Sequence, residues 1–206
     1  EEYLEVVVDP YPYPVSFKGE YHYRSGSTKQ ELKGAALDRF LLRKQGRHWD
    51  GVLVPYVRLA DFDKKIIGKF REKALLSKRL SEEILNESDD SLLDKLHLTE
   101  KNYFKRATVL LFHPDPEKYV TGAFIKVGYF KNDADLVFHD EIRGDMFTLV
   151  DKTMELLLAK YLRGKISYRR IQRIETYPVP EAALREALLN AVAHKDYGSA
   201  VPIQIS

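Results

Sequence analysis

The chain has 206 residues, 44% of them hydrophobic, 12% aromatic and 31% charged, which is the balance of a folded protein of one large domain or two small ones rather than of a disordered one. Zero cysteines exclude disulfides, thiolate metal sites, iron–sulfur clusters and cysteine nucleophiles, and fit a reducing cytoplasm. No apolar run reaches the ~20 residues that span a bilayer, so no membrane partner is expected. A formal charge of +2 does not by itself announce a nucleic-acid binder.

In chain order, Tyr3-Leu4-Glu5-Val6-Val7-Val8 reads as a strand, ended by the prolines of Asp9-Pro10-Tyr11-Pro12-Tyr13-Pro14. Val15 to Phe17 and Glu20 to Arg24 flank the turn signal Lys18-Gly19 and predict a β-hairpin closed by Ser25-Gly26-Ser27-Thr28. Leu32, Ala36, Leu37, Phe40 and Leu41 recur at helical spacing up to Gly46. After Trp49-Asp50-Gly51, Asp61 reads as the cap of a helix with Phe62, Ile66, Ile67, Phe70, Ala74 and Leu75 on its apolar face. The polar stretch 81–94 is the most loop-like in the chain and sets the expected domain boundary.

Thr99 then reads as the cap of a helix carrying Tyr103, Phe104, Ala107 and 109–112, stopped by His113-Pro114. Strands are predicted over 119–130 and 135–139, and an amphipathic helix from Asp145 through Leu149, Met154 and Tyr161. Residues 165–177 suggest an exposed strand or strand pair. Pro180 precedes a helix over 181–193 with acids in its first turn, ended by Gly198, and 201–206 is a final strand. The fold class is therefore α+β.

The last helix carries the clearest chemistry. Glu186 and Asn190 are four residues apart and share one helix face, while Leu184, Leu188 and Leu189 can face the core. An amide oxygen suits magnesium, and a carboxylate one turn away can orient a water. On spacing alone the same pattern also describes a merely solvated helix face.

Glu186-x-x-x-Asn190-Ala191-x-x-His194 resembles the N box of the GHKL ATPases, which include gyrase, histidine kinases and MutL. More closely, Ala183-Leu184-Arg185-Glu186-Ala187-Leu188-Leu189-Asn190 through His194-Lys195-Asp196-Tyr197 is similar to a signature of bacterial and archaeal transcriptional regulators, often labelled RecG-like helicase-related. These join a Schlafen-type AlbA-like DNA-binding domain to a divergent histidine-kinase-like ATPase domain. The stretches Tyr11 to Val15 and Lys18 to Thr28, with Trp49-Asp50, look like the end of the AlbA-like domain, and Leu98-Thr99 through Asp115-Pro116 resembles the linker block. Lys195 stands where the family commonly has arginine.

The resemblance implies Asn190 as magnesium holder through the nucleotide, Glu186 as general base, and His194 and Lys195 near the ATP. It also implies an AlbA-like part over 1–80 and a linker with the start of a GHKL-type α/β sandwich over 81–206. The first half of the AlbA-like domain and the glycine-rich ATP-lid motifs are expected outside this chain, so ATP and magnesium are expected for the full-length protein only.

Eight basic residues against three acidic ones lie between Lys18 and Arg47. With the tyrosines among them, Lys18, Tyr21, Tyr23, Arg24, Ser25 and Lys29 are the candidate nucleic-acid contacts, although an ordinary solvated hairpin has the same composition. A second basic stripe comprises Lys160, Arg163, Lys165, Arg169, Arg170 and Arg173. Histidine spacing argues against zinc, and no P-loop occurs. The expected protein is a cytoplasmic DNA-binding regulator, homodimerisation included, with a nucleotide-binding module. A Schlafen-like metal-dependent nuclease and a non-catalytic scaffold are the alternatives.

Overall fold

The computed structural model describes residues 3–7, 9, 11–162, 164–169 and 172–206, with backbone alone over 165–169 and 172–176. It is α+β, and it divides into two compact units, Glu1–Val52 and Leu53–Ser206.

In the first unit, Lys18 and Gly19 both take positive φ (52° and 84°), the geometry that a two-residue hairpin turn requires, and Phe17 pairs with Glu20 across them. The ladder stops there. Tyr23 and its neighbours pair downstream instead: β1 (His22–Ser25) runs antiparallel to β2 (Thr28–Glu31), around a turn that starts on Gly26 at φ 60°. Residues Ser25 to Thr28 therefore form the hairpin turn itself, and upstream prolines leave the Val15 side without donors for a longer ladder. Helix α1 (Gly34–Lys44) follows. Residues 3–7 form no strand, because β-branched side chains make one only where a ladder partner exists.

The second unit opens with β3 (Leu53–Val54) and α2 (Lys64–Ser77). Asp63, not Asp61, caps α2 by accepting from the Lys65 amide at 2.8 Å; Asp61 closes a preceding 3₁₀ turn through the Arg58 amide. Phe62, Ile66, Ile67 and Ala74 are buried as expected, but Leu75 is exposed. The polar stretch folds into α3 (Glu82–Leu85) and α4 (Asp89–Lys95), whose Leu85, Leu92 and Leu93 enter the same core. The division into units thus falls at Val52, ahead of that stretch. Arg71 of α2 ties these helices by donating to the Glu87 carbonyl and the Asp89 carboxylate, both at 2.8 Å.

Thr99 caps no helix. It lies in β4 (Thr99–Glu100), which turns through Lys101 and Asn102, both at positive φ, into β5 (Tyr103–Lys105); β5 also pairs with β3. The helix is correspondingly short, α5 (Arg106–Phe112), and stops before Pro114.

The other core lies between a three-stranded sheet and two helices. Strands β6 (Ile125–Asn132) and β7 (Asp135–Ile142) are antiparallel. Helix α6 (Met146–Leu156) is capped by Asp145, which accepts from the Phe147 and Thr148 amides at 3.0 Å each, and it runs on into a π-helical turn, Leu157–Tyr161. Strands β8 (Lys165–Arg169) and β9 (Gln172–Thr176) form a separate hairpin. Helix α7 (Glu181–His194) ends at His194, before Gly198, and β10 (Ile203–Ile205) joins the sheet parallel to β6, giving the order β10-β6-β7. Ile125, Val127 and Ile142 of the sheet, Leu149, Val150 and Met154 of α6, and Leu188 and Val192 of α7 fill that core. No helix among the described residues is long and apolar enough to cross a membrane.

Candidate functional sites

Helix α7 has two faces with different duties. Leu184, Leu188 and Val192 recur at four-residue spacing and turn inward, so Val192 takes the core place expected for Leu189, which is 41% exposed. On one flank Arg185 reaches the Asp151 carboxylate of α6 at 3.2 Å, and Lys73 of α2 reaches the same carboxylate at 3.3 Å. Burial pushes the Asp151 acid upward, but the Arg185 and Lys73 bonds outweigh it and hold the acid below its ordinary value.

The opposite face is exposed and carries Glu186 and Asn190. Asn190 Nδ2 donates to Glu186 Oε1 at 3.3 Å. Engaging the amide nitrogen this way leaves the amide oxygen as the open acceptor, the atom type that a hard divalent cation selects. The pair is compatible with a magnesium-bearing phosphate chain, to which Asn190 would supply an oxygen donor while Glu186 stays available to orient a water. Among the described residues no group of three or more His, Asp or Glu side chains is assembled for a metal ion, so phosphate oxygens and water would complete such a shell.

His194 ends α7 four residues beyond Asn190 on the same exposed stripe. Lys195 leaves that stripe: its ammonium lies 4.2 Å from the Tyr197 ring centroid, and burial lowers its pKa against the opposing Asp196 charge. Tyr197 is buried, donates to the Val192 carbonyl at 3.0 Å, and is pushed up to about 12 by burial. The structure therefore brings Glu186 and Asn190 together, continues the stripe to His194, and folds Lys195 onto an aromatic ring.

In the first unit the register of the hairpin sets Arg24 directly opposite Lys29. Two like charges across a ladder oppose pairing unless an anion shares them. Tyr23 donates its hydroxyl to Gln30 across the same ladder. Tyr21 is half-buried with its ring centroid 6.1 Å from that of Phe40, so it serves packing against α1. Ser25 accepts from the Thr28 hydroxyl at 2.9 Å through its carbonyl and closes the turn. Lys18 and Lys29 place their ammonium groups 5.5 and 5.6 Å from the Phe17 centroid. Phe17 was not among the sequence candidates; the signal that could have found it is an aromatic ring just before the Lys18-Gly19 turn.

Of the second basic stripe, Lys160 is engaged by Asp140 at 2.7 Å and lies over the Phe138 ring at 4.6 Å. Arg163 and Arg170, and the side chains of Lys165, Arg169 and Arg173, lie outside the described residues.

No protein-family profile and no curated protein matches the chain. Among solved structures it is similar to the crystal structure of the DIP2311 protein from Corynebacterium diphtheriae, with a TM-score of 0.55 and 16% sequence identity. The match covers 91% of this chain and 36% of that one, so the chain spans about a third of that structure's length. At this identity the likeness is one of fold alone.

Proposed function

We propose that the chain belongs to a cytoplasmic DNA-binding transcriptional regulator whose second unit contributes the acid–amide helix of a GHKL-type nucleotide site and whose first unit contributes a basic hairpin for DNA. The observation that carries the reading is the Glu186–Asn190 pair: an acid and an amide in contact at 3.3 Å on the exposed face of a helix whose opposite face is already committed to the core. In this reading Asn190 holds the metal-bound phosphates and Glu186 orients water as general base. Magnesium, when bound, supplies the positive charge that draws the phosphates to this face. His194 lies farther along the same stripe. Lys195 approaches phosphate only after leaving the Tyr197 ring. On the first unit, the opposed Arg24 and Lys29, with Lys18, supply a phosphate-binding edge. Nucleotide state then governs DNA affinity or homodimerisation.

The test is calorimetric titration of ATP with magnesium into the full-length protein, wild type against Asn190→Ala. Binding lost in the variant supports the nucleotide site, and equal binding, or none in either, overturns it. Fluorescence anisotropy of labelled duplex DNA at low salt tests the other half; binding that is indifferent to Arg24→Gln with Lys29→Gln overturns the hairpin as its contact.

A further inference from the structure

The first unit exposes aromatic rings in an unusual setting. Phe17 is 62% exposed, Tyr11 63% and Tyr13 67%, and Tyr11 and Tyr13 meet edge to face with centroids 6.0 Å apart. Lys44 of α1 donates to the Tyr11 carbonyl at 2.8 Å, which ties this aromatic segment to the helix of the same unit. Phe17 has two ammonium groups within 6 Å of its ring, and one of them, Lys29, stands opposite Arg24 across the ladder. Two cations thus gather at one exposed ring, and a third stands across the ladder from one of them.

Such a ring has no hydrogen bond to offer a duplex. Phenylalanine has no donor or acceptor for a base edge or a phosphate, and in a duplex the π-faces of the bases are covered by their stacked neighbours. In an unpaired strand those faces are open, and stacking an aromatic ring against one while lysines hold the flanking phosphates is the general physics of single-strand binding. We infer that the hairpin takes DNA in its unpaired form, with Phe17 as the stacking surface for a base and Lys18, Arg24 and Lys29 on the phosphates. The inference rests on the DNA-binding reading above and specifies its substrate. Tyr11 and Tyr13, fixed beside α1, offer further stacking surface; Tyr23, whose hydroxyl is held by Gln30, keeps the ladder in register.

The experiment measures fluorescence anisotropy of labelled oligothymidylate, the matching oligouridylate and a DNA duplex against the full-length protein at low salt. The variants are Phe17→Ala, Phe17→Trp and Lys29→Gln. The expected result is tighter binding of oligothymidylate than of duplex, a loss of about tenfold for oligothymidylate alone in Phe17→Ala, and retention in Phe17→Trp. Lys29→Gln weakens both DNAs and lowers the salt slope by about one. The tryptophan that Phe17→Trp adds to the native Trp49 brings a quenching by the strand, and not by the duplex, that the wild type does not show, a readout that does not depend on the alanine variant folding. Duplex bound as tightly as single strand, or an unaffected Phe17→Ala, overturns the stacking inference while DNA binding stands. Oligouridylate bound more tightly than oligothymidylate overturns DNA as the strand. Failure of every oligonucleotide to bind overturns the DNA reading itself and leaves the exposed rings to a protein partner.

Discussion

A Cβ built on Gly122 would stand 2.5 Å from the carbonyl oxygen of Ala200, so the segment leading into β6 and the one leading into β10 touch backbone to backbone. Gly122 sits at φ 75° and Ala200 at φ 57°, and their close approach delivers β10 alongside β6 in parallel register, Ile203 opposite Ile125. Gly122→Ala must therefore open that junction as well as bear the left-handed backbone, which alone costs roughly 1–2 kcal/mol. Gly68, inside α2, has open space where a Cβ would go and no positive φ. Gly68→Ala is expected to stabilise by about 0.5–1 kcal/mol. Urea midpoints of the two variants, which exchange the same residues within the same unit, should move in opposite directions.

His113 supplies a pH dependence. It is 5% exposed, its Nδ1 accepts the Asp115 amide at 2.9 Å, and its ring lies edge-on to Phe62 and Tyr119. Burial lowers its pKa, with the Lys118 charge acting in the same direction and the Asp115 and Asp61 charges opposing. The folded state thus prefers the neutral ring. Below the unfolded value of ~6.5 the unfolded chain binds more protons, so the histidine's contribution is complete above that value and falls as pH drops through it. Stability measured by urea from about pH 7.5 down to about pH 5.5 should decline in the wild type, and the decline should shrink in His113→Gln.

The start of α6 depends on one carboxylate. Asp145 is 2% exposed and satisfies two amides of the first turn, so Asp145→Ala leaves both donors without their partner. A loss of roughly 1–2 kcal/mol is expected, while Asp145→Ser, which keeps an accepting oxygen at the cap, should lose less. Thermal unfolding of the two variants side by side checks the order.

Glu186 and Asn190 should behave in the opposite way. Both are exposed and bond chiefly to each other, so Glu186→Gln and Asn190→Ala are expected to change stability by less than about 0.5 kcal/mol. Their effect belongs in nucleotide titration for Asn190 and in ATP turnover for Glu186. A large shift in melting temperature for either variant would assign the pair to the fold instead.

Asp151 joins three helices, since Lys73 of α2 reaches its Oδ2 and Arg185 of α7 its Oδ1. All three groups are substantially exposed, so each pair contributes little alone. Asp151→Asn is expected to cost less than about 1 kcal/mol, and the cost should shrink in high salt if the attraction is ionic.

Where a local signal was sufficient, the sequence alone determined the structure. Asp145 before an amphipathic run, Pro180 before an alanine- and leucine-rich run, and Pro114 after Phe112 each act on the backbone within one turn, so α6, the start of α7 and the end of α5 were legible. The shared face of Glu186 and Asn190 followed from helical period alone. Tertiary structure decided the rest because the deciding partners are distant or compete locally. Thr99 became strand because Lys101 and Asn102 turn the chain back onto it, and β5 also finds β3 from far upstream. Residues 81–94 look like a loop because their charges face water, yet Leu85, Leu92 and Leu93 close a core against α2. The Tyr21 to Arg24 segment chose Thr28–Glu31 over Val15–Phe17 as its partner, a competition between two glycine turns that pattern does not rank. That choice set Arg24 opposite Lys29, so while Lys18 meets the exposed ring as its neighbour in sequence, Lys29 and the Arg24 across from it are placed by tertiary pairing and not by spacing along the chain.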